Sequence, residues 1–513
     1  MLFNSYEFIY FFLPVTLLVF FALSGRGWRR AAAGWLALAS LFFYGYWSPR
    51  YVLLLMGSIV LNFTAGQWID QLRQAGRGDR SRLALVAAIT ANLLVLAYYK
   101  YANFFIDSLN AVAGTHVALA EIVLPIGISF FTFTQIAYLV DTYVGKVRER
   151  GFIPYTLFVT FYPHLIAGPV LHHAEMMPQF ARDSTYAFRL HNFLIGCGYF
   201  GIGLFKKVVL ADGIQPFVGP VFEADPGYQL TMLEAWGGVL AYTLQLYFDF
   251  SGYSDMAIGL AKMLNVDLPF NFDSPYKARN ISEFWRRWHM TLSRFLRDYL
   301  YIPLGGNRLG SLRRYANLLT TMLLGGLWHG AGWTFVIWGA LHGLYLVVHQ
   351  LWQAALERWA PARVPRWPAL GRAMSVLLTF LCVVVAWVFF RATSLDSALR
   401  ILEGMAGMNG LVLPLDWQPA VASLAGGTVD SIRFGVLEAA GGSRQLAWIV
   451  VLLAIAWLSP NSQAIMQAAA ARVAAWKAQR WSWAMLGVAG VAVFMLAAIN
   501  GSHGSSEFIY FNF

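Results

Sequence analysis

Continuous apolar runs of membrane-crossing length recur along this chain and narrow its folds to one class. Residues 7–23, 31–46, 50–68 and 82–99 make four such runs within the first hundred positions. A hydrocarbon core about 30 Å thick takes roughly 20 helical residues to cross, and in lipid the backbone must satisfy its own hydrogen bonds. A β-barrel would need alternating segments of roughly ten residues, and these runs are continuous. Only 12% of residues are charged, against about 25% in soluble domains. The expectation is an all-α polytopic membrane protein, residues 1–513 forming a single integral-membrane domain with roughly 11–13 transmembrane or re-entrant helices.

The remaining composition fits a bilayer. A net charge of +11 would suggest nucleic acid as partner to a soluble protein; here it reads as basic loops on the cytoplasmic side, with no nucleic acid expected. The 20 tryptophans and 24 tyrosines suit interfacial belts. The loops Arg26–Arg30 and Arg73–Arg82 flank alternate helix ends. The N-terminus lacks a basic leader and a small-residue cleavage site, so the first helix is expected to be retained, its C-terminal end in the cytoplasm. Cys197 and Cys382 lie in apolar runs and read as small hydrophobes.

The stretch from Arg279 to His342 concentrates the chemistry. Advancing about 100° per residue, Arg286, Arg297, Glu283, Arg294, Arg287 and Asp298 fall in one sector of about 120°. Phe284, Phe295, Trp288, Tyr299, Leu292, Trp285 and Leu296 take the opposite side, with His289 at the border. The pattern predicts an interfacial amphipathic helix over 281–299, opened by an Asn280–Glu283 capping box and stopped by Pro303 and Gly305-Gly306. His329 follows inside an apolar span. An ionisable group at that depth marks a functional site unless packing satisfies it; on the residues alone, a satisfied structural histidine is the better reading of His329. Gly325, Gly326, Gly330 and Gly332 around it would let a narrow substrate arm approach the backbone.

Other polar features divide more evenly. The segment Tyr247-Phe-Asp-Phe-Ser-Gly-Tyr-Ser-Asp255 places Asp249, Ser254 and Asp255 in apolar sequence. A substrate-cavity role and a structural pairing with nearby arginines fit it equally. Six residues turn a helix by about 240° net, so Asp249 and Asp255 are no side-by-side acid pair. Thr132, Thr134 and Gln135 imply a span facing protein or a cavity. His164 reads as packing at a kinked helix end, His342 and His349 as structural, and adjacent His172 and His173 give no metal site. From Asp273 to Arg314 nine basic residues meet three acidic ones. That cytoplasmic surface would suit a phosphate-bearing donor or anionic headgroups, with Arg286 and Arg287 as contacts. The glycine- and proline-scattered segment Arg391 to Arg444 is expected to be an extramembrane loop. A last span is expected at 483–500. Glu7-Phe-Ile-Tyr-Phe11 recurs as Glu507-Phe-Ile-Tyr-Phe511 without a physical account, and Ser502-His503 is too close in sequence to make a triad.

Taken together, Phe284-Trp-Arg-Arg-Trp-His289, Arg297-Asp-Tyr-Leu300, Gly305-Gly-Asn-Arg308, Gly325-Gly-Leu-Trp-His-Gly330 and Tyr247–Asp255 resemble the motifs of membrane-bound O-acyltransferases. Lys100-Tyr-Ala-Asn-Phe104, Leu124-Pro-Ile-Gly-Ile-Ser129 and Pro163-His-Leu-Ile-Ala-Gly-Pro169 extend the resemblance from the first helix to about Arg391, closest to the branch that acetylates bacterial alginate. It implies a ring of helices around a central tunnel in the bacterial inner membrane. It implies transfer of an acyl group, usually acetyl, from a cytoplasmic thioester (acetyl-CoA as substrate, no tightly bound cofactor, no metal) to hydroxyls of an exported polysaccharide, through a periplasmic or secreted acetyltransferase partner. The essential histidine corresponds to His329, beside Trp328, and a second functional histidine to His289. Histidine can take a hydroxyl proton near neutral pH, and burial favours the neutral form a base needs. The same branch holds D-alanyl transferases of cell-wall polymers. A polysaccharide exporter, from another class, would show inverted repeats, and none is evident.

Overall fold

The computed structural model describes residues 1–117, 119, 122–147, 149, 151–359, 369–425, 433–475, 490, 492–493, 495–496 and 508–509. The expected span at 483–500, the Ser502-His503 pair and the C-terminal aromatic repeat fall wholly or largely outside them. Among the described residues six helices are long and apolar enough to cross a membrane: Glu7–Gly25, Pro49–Gln74, Gly78–Ala113, Leu190–Phe222, Trp333–Trp359 and Ala369–Arg391. There are seven if Gly442–Leu458 and Ser462–Ala471 make one bent span. Leu18, Leu53, Leu61 and Leu83 on these helices are each at least 70% exposed, as side chains facing hydrocarbon are. The protein is an all-α polytopic membrane protein. The chain divides into two compact units.

The first unit comprises Met1–Phe205, Ser251–Asn271 and Ser462–Phe513. Its apolar helices are tied by buried amides, which in a bilayer find no competing water. Asn62 and Asn92 exchange hydrogen bonds of 3.0 and 2.6 Å between the second and third spans. The Gln135 amide donates to Ser58 Oγ at 2.8 Å and its oxygen accepts from Tyr155 Oη at 3.1 Å. Thr132, Thr134 and Gln135 are buried, so this span does face protein. His164 is buried on the short Tyr162–Leu165 helix. His173 pairs with Asp141 at 2.9 Å.

The second unit comprises Lys206–Phe250 and Phe272–Asn461. At its centre the Ser311–His329 and Trp333–Trp359 helices form an antiparallel hairpin. Small residues set its spacing. A Cβ on Gly326 would meet the Phe335 carbonyl oxygen at 2.3 Å, and one on Gly339 the Met322 carbonyl oxygen at 2.4 Å. The segment expected as a loop, 391–444, is partly ordered secondary structure. It holds a helix at Leu395–Met405, capped by Ser394, and a short parallel pair, Val412–Pro414 with Arg433–Gly435. Periodicity there was hidden by the glycines at its turns. Glu234, fully buried, anchors the segment by accepting from the Ala439 amide at 3.1 Å and from Thr231 and Tyr228.

Candidate active site

The amphipathic stretch is two helices rather than one. Ile281–Arg287 and Met290–Leu296 are separated at Trp288–His289, where His289 takes a left-handed φ of 42°. The residue-by-residue pattern could not show this, because the two pieces keep the same face inward. Phe284, Trp285, Trp288, Leu292, Phe295 and Leu296 are buried, while Arg286 and Arg297 are exposed. The break moves one residue decisively: His289, expected at the border, is completely buried. A bulky residue with positive φ is held there by its surroundings at an energetic cost, and such positions cluster at functional sites.

The N-terminal cap is half as expected. Asn280 Oδ1 accepts from the Glu283 amide at 2.8 Å, but the Glu283 carboxylate reaches the Arg279 amide, at 2.9 Å. Its other oxygen accepts from Arg287 at 2.8 Å, and Arg287 also donates to the Asp273 carbonyl at 3.2 Å. Arg287 is thereby committed within the protein, whereas Arg286 points to the exterior. Gly305 and Gly306, with φ of 110° and 54°, end the segment as the sequence indicates.

His329 is the last residue of its helix and lies among aromatic rings. Trp328, Trp338 and Phe390 stand edge-on to it at centroid distances of 4.9, 5.1 and 5.2 Å. His289 is 6.4 Å from His329 and packs edge-on against Phe250 at 4.8 Å. The two histidines that the motifs singled out are thus brought together in a buried aromatic cluster with Trp328. Burial pushes the His289 imidazole down to about 3, so it is neutral at physiological pH. The glycines beside His329 serve mainly packing. A Cβ on Gly330 would lie 2.1 Å from the Phe335 ring, whereas at Gly332 the nearest atom is 3.6 Å away. Space at 326 and 330 is therefore taken by protein rather than left for a substrate arm.

Asp249 and Ser254 part company. Asp249 is buried beside Lys207, Oδ1 to Nζ 2.8 Å, and Lys207 also holds Asp212 at 2.9 Å. The pairing partner is thus a lysine from the Leu190–Phe222 span and not an arginine. Ser254 belongs to the first unit, where its Oγ accepts from Asn271 at 3.4 Å, and Asp255 accepts from Ser462 at 2.6 Å. Sequence reasoning missed the rings packed against the two histidines, Phe250, Trp338 and Phe390. The tryptophan spacing Trp333, Trp338 after His329 was their only signal.

A model of MBOAT, the membrane-bound O-acyltransferase family, matches residues 83–390, which contain both histidines. The chain belongs to the membrane-bound O-acyltransferase family. It is 45% identical over 439 residues to the peptidoglycan O-acetyltransferase of Helicobacter pylori, covering 80% of this chain and 81% of that protein. It is 44% identical over 413 residues to the probable alginate O-acetylase AlgI of Pseudomonas aeruginosa, covering 79% and 75%. A teichoic acid D-alanyltransferase of Streptococcus thermophilus is 26% identical over 286 residues, 52% of this chain and 68% of that one. As a membrane-bound O-acyltransferase this protein is an enzyme, an acyltransferase, and a multi-pass membrane protein.

Proposed function

We propose that this enzyme moves an acetyl group from acetyl-CoA on the cytoplasmic side of the bacterial inner membrane to hydroxyls of an exported polysaccharide such as alginate, through a periplasmic acetyltransferase partner. The observation that carries the reading is the convergence of His329 and His289, 6.4 Å apart, inside the family-matched segment. The names of the relatives, O-acetylases of alginate and peptidoglycan, support acetyl as the group and a polysaccharide as acceptor.

In this mechanism His329 takes the proton of an acceptor hydroxyl. The hydroxyl oxygen forms a bond to the thioester carbonyl carbon, the carbon–sulfur bond breaks, and the coenzyme thiol leaves with the proton. His289, neutral and fixed by its backbone conformation, lines the donor side. Aromatic walls exclude water that would otherwise hydrolyse the thioester. The basic face with Arg286 meets donor phosphates or headgroups on the cytoplasmic side.

The test uses inverted vesicles that carry the enzyme, its periplasmic partner and polymer, with labelled acetyl-CoA outside, on the cytoplasmic face. Alkali-labile acetate on the enclosed polymer is expected. Polymer left unlabelled while label reaches another acceptor class would overturn the polysaccharide assignment.

A further inference from the structure

A third histidine of the second unit has one nitrogen committed and one not. His342 is completely buried on the Trp333–Trp359 helix. The Trp285 indole nitrogen lies 3.3 Å from its Nδ1. An indole N–H only donates, so Nδ1 accepts and the neutral ring carries its proton on Nε2. Among the described residues that Nε2 has no hydrogen-bond partner. A buried donor left unmatched costs free energy unless something fills it, and here the tautomer is fixed by a dedicated neighbour. Trp338 separates this ring from the catalytic one, 4.8 Å from His342 and 5.1 Å from His329. The two imidazoles therefore lie within the sum of those spacings.

We propose that the Nε2–H of His342 is a donor-recognition group, which binds an amide carbonyl on the arm of the acyl thioester. The inference rests on the acetyl-CoA reading above. In coenzyme A five bonds separate the thioester carbonyl carbon from the nearest amide carbonyl carbon, a reach of roughly 6 Å when extended. With the reactive carbonyl at His329, that amide falls in the range of His342. The indole–imidazole bond then does for substrate binding what an orienting partner does for a catalytic histidine: it decides which nitrogen presents the proton. A contact made equally in ground and transition states acts on KM and leaves kcat unchanged.

Coenzyme A release in nanodiscs, with acceptor and partner supplied, tests this with wild type, His342→Gln, His342→Phe and Trp285→Phe, each shown folded by its melting curve. Gln keeps an amide N–H near the place of Nε2; Phe keeps the ring and loses the donor. His342→Phe is expected to raise KM for acetyl-CoA about tenfold, with kcat within about twofold. His342→Gln stays within about threefold of wild-type KM, and Trp285→Phe falls between them. A ring that only fills space predicts the reverse order, since Phe suits an aromatic pocket better than an amide does. Wild-type turnover with Phe equal to or better than Gln overturns the inference alone. A wild type that releases no coenzyme A overturns the acetyl-CoA reading and this inference with it. Should His342→Phe fail to fold, an unchanged KM in Trp285→Phe decides against the proposal.

Discussion

The imidazoles of His289 and His329 stand 6.4 Å apart, although forty residues separate them and they are delivered by different means. His329 arrives at the end of a helix; His289 arrives through a left-handed kink between two helices. Each delivery depends on a local backbone choice that can be tested separately from the chemistry.

At His289 a positive φ favours glycine over every residue with a Cβ. His289→Gly and His289→Ala lose the same imidazole, so their difference isolates the backbone. The glycine variant is expected to be the more stable by about 1 kcal/mol, the reverse of the order within a regular helix. Thermal unfolding in detergent measures this, and an alanine variant as stable as the glycine one would deny the kink.

Burial also gives His289 a pH signature. In the folded enzyme it stays neutral down to about 3, whereas an unfolded histidine titrates near about 6.5. The unfolded chain takes up a proton that the folded chain refuses. Stability from this site is therefore present above about pH 6.5 and is lost progressively as pH falls toward 3. Between about pH 6.5 and pH 4 the wild-type melting temperature is expected to fall more steeply than that of His289→Gln. Parallel curves would contradict the buried neutral state.

Much of this was legible in the sequence because lipid imposes strong rules. Apolar runs, the buried Thr132–Gln135 face and the sidedness of Phe284 against Arg286 follow from side-chain type and period. The break at His289 was not legible, since two short helices can keep a shared inward face across a kinked residue. The Lys207–Asp249 contact was also hidden, because pairing between distant helices leaves no local pattern. The packing role of Gly326 needed the facing Phe335 carbonyl, which a single strand of sequence cannot supply.

Lys207 serves two carboxylates, Asp249 and Asp212, so the members of this cluster are not equivalent. Lys207→Met leaves buried Asp249 and half-buried Asp212 without this cation and is expected to cost about 3–5 kcal/mol. Asp249→Asn leaves Lys207 with Asp212 and costs less. Combining Lys207→Met with Asp249→Leu recovers part of the loss. Melting temperatures of the three variants check the ranking, and a double variant worse than Lys207→Met alone would contradict it.

The helical hairpin makes a sharp contrast between neighbouring glycines. Gly326→Ala drives a methyl into the Phe335 carbonyl, 2.3 Å from the new Cβ, and is expected to cost about 1–3 kcal/mol with loss of turnover. Gly332→Ala, where the nearest atom is 3.6 Å away, should be close to neutral in both. If Gly332→Ala abolished turnover while remaining folded, the open space at 332 would be substrate space after all.

In the proposed mechanism His329 takes part in the chemical step. Its most direct test is release of coenzyme A from labelled acetyl-CoA by purified enzyme in nanodiscs, with acceptor and partner supplied. Wild type is compared with a His329→Ala variant of matching size-exclusion and melting profiles. The account predicts turnover by wild type and a fall of about 10²-fold or more in kcat for the variant. Equal turnover in the two would contradict it.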